Sequence, residues 1–206
     1  NLALIQCRLE DAFHHHQKSY VAFTEMGNVN GIALSQINMA VASLEKGDAM
    51  RAVESAQSAL ATLGDSDNAM LRGVSLVVLG ESHLLCGALE QAEEIFESIL
   101  RDYDKVSHQL AVAGSLRGLG RIALKRSNYV EALERLDSAL EIYERIRREQ
   151  EAARTSLWRA EAIWRSGDPV RGRSEIVRAE GRLQAIGASL DVKRAKELLQ
   201  EPSKEA

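Results

Sequence analysis

Apolar residues along this chain recur at helical spacing. Leu34, Ile37, Val41 and Leu44 stand three or four residues apart and share one stripe of a helix with 3.6 residues per turn. No stretch alternates β-branched and polar residues between turn formers, as a half-buried strand would. The periodic stretches predict one set of helices near 30–46, 69–86, 108–126 and 150–166. A second set alternates with it, near 49–63, 89–103, 129–146 and 170–186. Residues 1–27 read as half of a first helix followed by a full second helix. Ser189–Gln200 reads as a capping helix with Leu190, Ala195, Leu198 and Leu199 on one side. The polar tail 201–206 is expected to be disordered.

The pattern repeats every 40 residues. Gly47, Gly87, Ser127 and Gly167 each close one apolar-periodic stretch and precede another. Asp48 and Asp168 follow as N-caps, their carboxylates placed to accept from first-turn amides, and Pro169 takes the first helical position. Ala12, Ala52, Ala92, Ala132 and Gly172 form a column of small residues, as do Ala40, Gly80, Gly120 and Ala160. Small residues at one place in every unit let two helices approach closely. His16, Ala56, Phe96, Leu136 and Ile176 form a mostly apolar column. Each unit is therefore a pair of antiparallel helices. The junction at Arg147–Gln150 has no turn residue and is placed by the period alone.

Within these columns, Leu76-x-x-Leu79-Gly80-x-x-His83 followed by Ala92-x-x-x-Phe96 resembles the tetratricopeptide repeat. So does Leu116-x-x-Leu119-Gly120-x-x-Ala123 followed by Ala132-x-x-x-Leu136-x-x-Ala139. The usual unit has 34 residues, and here the early tryptophan is leucine and the closing proline is absent. The 40-residue unit is similar to the longer repeats of large bacterial transcription activators, of proteins carrying nucleotide-cyclase domains, and of kinesin light chains. The resemblance implies an all-α, right-handed α-solenoid of about 4.5 repeats plus the C-terminal capping helix. Residues 1–200 would form a single domain, with repeats at 1–27 (partial), 28–66, 67–106, 107–147 and 148–187. A hairpin that cannot bury both faces alone stacks on its neighbours. Leu2, Leu4 and Ile5 have nothing ahead of them, so the chain is expected to continue upstream or to meet another subunit there.

Composition narrows the function. The 26 basic and 30 acidic residues are interleaved, which argues against a nucleic-acid surface. No apolar run reads as the roughly 18 residues of a membrane span. Cys7 and Cys86 sit about two repeats apart, roughly 20 Å by helix packing. They read as free thiols in a reducing, cytoplasmic setting. His14, His15 and His16 are consecutive and so point about 100° apart on a helix, which keeps them from converging on one metal ion. Neither a phosphate loop, nor zinc-spaced cysteines, nor a serine elbow is legible, so no catalytic residue and no cofactor is expected.

What remains is a binding surface. The resemblance places the first helix of each pair on a concave groove. The groove columns are then Leu34, Val74, Gly114 and Arg154; Ile37, Val77, Arg117 and Leu157; Asn38, Val78, Gly118 and Trp158; and Val41, Glu81, Arg121 and Glu161. Asn38, Val74, Val77, Glu81, Arg117, Arg121, Arg154, Trp158 and Glu161 are the candidate partner-binding residues. Arg117 and Arg121 are spaced to hold a carboxylate or phosphate, Trp158 to pack an apolar side chain, and Gly114 and Gly118 to leave room for a ligand. The alternation Glu81, Arg121, Glu161 reads equally as an ion-pair ladder between units. Trp164 belongs to a core column with Leu44, Leu84 and Leu124. The expected function is a protein- or peptide-binding scaffold within a larger regulatory protein. A regulator binding a small signalling peptide or anion is the alternative, and self-association through the N-terminal end or the strip Leu34, Ile37, Val74, Val77 is a second.

Overall fold

The computed structural model describes residues 2–64 and 66–201, with side chains from residue 10 onward. Among these residues there are ten helices and no strand: α1 (Leu2–Glu25), α2 (Val29–Lys46), α3 (Ala49–Leu63), α4 (Ala69–Cys86), α5 (Leu89–Asp102), α6 (Gln109–Lys125), α7 (Tyr129–Arg145), α8 (Glu149–Arg165), α9 (Pro169–Ala185) and α10 (Ser189–Gln200). The all-α, tetratricopeptide-like architecture is the expected one, and helix ends fall within about a residue or two of the periodic reading.

The ends are set by local chemistry. Asn28, Asp48, Asn68 and Asp168 each accept from the backbone amide three residues on, at 3.0–3.2 Å. At the other end of α2, Gly47 adopts φ 81°, which lets its N–H and that of Asp48 reach Leu44 and Ser43 carbonyls. The junction without a turn residue resolves in the same way. Arg147 takes φ 56° at the position where Gly27 and Gly187 stand in other units, also at positive φ.

Two sequence readings are corrected. Residues 2–25 form one continuous helix rather than a half helix and a full one. The position 40 residues before Gly47 and Asp48 is Cys7–Arg8, which offers neither a left-handed terminator nor a cap, so the helix runs on. Secondly, α4 is by length and composition apolar enough to cross a membrane, although half of it is buried within the protein. Its apolar side chains Leu71, Val78, Leu79 and Leu84 are core residues, which explains the composition without a bilayer. The side chain of Cys7 and residues 202–206 lie outside the described residues. Cys86 is a free, exposed thiol.

The chain forms two compact units, Asn1–Gly118 and Leu119–Ala206. In the first, α1 packs on α2, α2 on α3 and α4, and α3 and α5 on α4. Its main core joins Ala33, Ile37 and Ala40 to Ala56, Ala59, Leu63, Leu71, Val78 and Leu79. Phe96 is fully buried, and a Cβ added at Gly80 would lie 2.6 Å from its ring. The small column is thus a close helix crossing. In the second unit, α8 packs on α7 and α9, and α10 lies over α9. Leu157, Ala160 and Trp164 meet Ile176, Ala179 and Leu183 there, with Ala195 and Leu198 of α10.

Candidate partner-binding surface

In the first unit the candidate surface is built on α2 and α4. Leu34 and Val41 are seven residues apart, so they share a face to within about 20°. That face is open, with Leu34 45% and Val41 38% exposed. Asn38 and Val74 are half-buried near the same stripe. Ile37 lies about 60° round the helix and is only 3% exposed, while Val77 at the matching place on α4 is 8% exposed. The strip Leu34, Ile37, Val74, Val77 therefore divides: Ile37 and Val77 serve the core, and Leu34 faces solvent.

The column continues with Arg117 and Leu157, which are also buried. Arg117 is tolerated there because its Nη2 donates to Glu81 Oε1 at 2.5 Å, with Glu81 itself half-buried. A buried guanidinium is retained only when paired in this way. The expectation that Gly114 and Gly118 leave room for a ligand is overturned. A Cβ on Gly114 would stand 2.6 Å from Val77 Cγ1, and one on Gly118 would overlap the Phe96 ring. Both glycines are already filled by the protein's own side chains.

In the second unit the candidates Arg121, Arg154, Trp158 and Glu161 gather around α10. The guanidinium of Arg121 stands 4.5 Å from the centre of the Trp158 ring, and that of Arg194 stands 3.0 Å from it. Glu161, 7% exposed, accepts from Arg165 Nε at 2.9 Å and also pairs with Arg194. Arg165 reaches on to Glu201 at 3.2 Å, and Arg154 Nε donates to Asp191 Oδ2 at 2.7 Å. Burial pulls the Arg194 guanidinium down to about 10, with Arg121 and Arg165 adding to that and Glu161 and Asp191 opposing it. It stays charged at neutral pH. Glu161 is thus paired with Arg165 of its own helix and with Arg194 of α10.

Asp191, Arg194 and Glu201 were not among the candidates. Arg194 follows Arg154 by 40 residues and Glu201 follows Glu161 by 40, so extending the period through the capping helix finds both. Elsewhere, His14 and His15 are exposed and His16 is half-buried, its imidazole held below the ordinary value by burial and then by His15. Among the described residues no three metal-ligating side chains cluster.

Residues 71–145 match the family model described as tetratricopeptide repeat. Among solved structures, that of BtubC (BKLC) from P. vanneervenii is similar over 96% of this chain and 96% of its own, with a TM-score of 0.61 and 18% identity. Likeness at that identity establishes the fold alone. No curated relative matches the sequence. The repeat recognised in the sequence is shown for 71–145, and the tetratricopeptide-like fold for the chain. Tetratricopeptide repeats are non-catalytic scaffolds that generally mediate protein–protein interaction and bind protein or peptide partners.

Proposed function

We propose, for a chain carrying tetratricopeptide repeats at residues 71–145, a cytoplasmic protein- or peptide-binding scaffold that is part of a larger regulatory protein. The observation that supports it is the open apolar face of α2, where Leu34 and Val41 stand in solvent beside half-buried Asn38 and Val74. Two large apolar side chains on one stripe of a first helix offer a partner desolvated contact, with the Glu81–Arg117 pair at the next helix setting polar specificity. Binding through such a surface draws its energy from a few buried anchors, so the partner is expected to present apolar side chains to α2. The alternative, an anion held between Arg117 and Arg121, gains no support from an Arg117 already engaged by Glu81.

The test is capture from native extract by the wild-type chain and by a Leu34→Asp, Val41→Asp variant, with circular dichroism confirming that both are folded. A partner retained by the wild type and lost by the variant supports the reading. A partner held equally by both moves the interface off this face and refutes it.

A further inference from the structure

We propose that α10 is a resident, displaceable occupant of the first-helix face of the second unit, vacated for an amphipathic partner helix that carries the same contacts. Two observations converge. Three polar contacts of α10 fall on candidate groove residues, Asp191 on Arg154 and Arg194 on Trp158 and Glu161, beside its contacts to Arg173 and Glu180 of α9. The apolar hold is lighter than that of α9: α10 buries Ala195 and Leu198, with Val192 and Leu199 half-buried against the same core, where the adjacent α9 buries four residues.

A helix held by charge and little apolar area exchanges more readily than one held by a core. The face beneath it specifies its replacement by charge complementarity. Arg154 takes an acid, Glu161 and Trp158 take an arginine three residues on, and the apolar floor at Leu157 and Leu183 takes a leucine four residues after that. The partner is thus a helix with acid-x-x-arginine-x-x-x-leucine spacing. This rests on the reading that first-helix faces bind partners, but it concerns a different unit from Leu34 and Val41, so either can fail alone.

The probe is a fluorescent peptide with the sequence of Ser189–Gln200, titrated by anisotropy against the full wild-type chain and the full chain carrying Asp191→Ala and Arg194→Ala. A control peptide has alanine at both of those positions. Loosening the resident helix raises the fraction of open sites, so the variant is expected to bind the probe about tenfold more tightly than wild type, and the control peptide to bind neither. Hydrogen exchange should show 189–200 opening in the variant while α8 stays protected. Equal affinity for the two chains, or equal binding of the control peptide, overturns the proposal. Should the double variant lose helix content, Arg194→Lys, which keeps the charge and weakens the stack on Trp158, is expected to show a smaller gain, and no gain overturns it. Dimers of the wild-type chain at the titration concentrations would assign the face to exchange of α10 between copies and equally overturn it.

Discussion

The ring of Phe96 lies in a slot whose walls are glycines. A Cβ on Gly80 would come 2.6 Å from Cε1, and one on Gly118 would overlap Cε2 and Cζ. Phe96 is fully buried, and the corresponding residues of other units are the smaller Ala56, Leu136 and Ile176. Gly118→Ala is therefore a test of whether the slot is filled. Alanine in place of helical glycine favours the helix by about 1 kcal/mol. Against that stands overpacking, worth about 2–3 kcal/mol at a site where the ring has α4 on its other side. The expected net loss is about 1–2 kcal/mol, a fall in urea midpoint of roughly 0.5–1 M at an ordinary slope. Both tryptophans, Trp158 and Trp164, belong to the second unit, so the assay is far-UV circular dichroism with hydrogen exchange of α4 and α5, and fluorescence serves as the control. Phe96→Leu in the Gly118→Ala background should recover stability, with a coupling of about 1–2 kcal/mol between the two sites. A stable Gly118→Ala, or a double variant whose losses simply add, would show that the glycine is there for another reason.

Other outcomes follow from the same packing. Arg147→Gly relieves a side chain held at φ 56° and should stabilise the α7–α8 junction by about 0.5–1 kcal/mol in a fluorescence melt; a loss would mean that the arginine side chain holds that turn. Leu136→Ala empties a fully buried position in the second unit and should cost about 2–5 kcal/mol in the same assay. His16 is predicted to make the first unit acid-sensitive. Its folded-state value is the lower one, so as pH falls just below the ordinary imidazole range the unfolded chain takes up the proton first and stability drops. His16→Leu should flatten that part of the stability profile measured by circular dichroism, and an unchanged profile would refute the assignment.

Much of the architecture was readable without coordinates. A 40-residue period with small residues at fixed places predicts both the number of helices from α2 onward and their close crossings, because helix ends and helix contacts are decided by local residue types. Gly47, Asp48, Asp168 and Pro169 act through their own dihedrals and their own hydrogen-bonding groups, so they needed no tertiary information. The reading failed where a local signal was missing. Nothing at Cys7–Arg8 stops a helix, and α1 runs through it.

The surface was less legible. A column shows which residues occupy equivalent positions but not how far round the helix the neighbouring helix reaches. Only packing decided that Ile37, Val77, Arg117 and Leu157 turn inward while Leu34 and Val41 stay outside. The empty-looking Gly114 and Gly118 needed the positions of Val77 and Phe96 from other helices to be recognised as filled. Likewise, the sequence alternation of charge left ladder and ligand site open, and the pairing of Glu161 with Arg165 and Arg194 is not legible in the column. The fold was therefore determined by the sequence itself, since periodicity and caps are short-range. The exposure and pairing of the candidate surface belonged to the tertiary structure, because they depend on which long side chains from separate helices arrive at the same place.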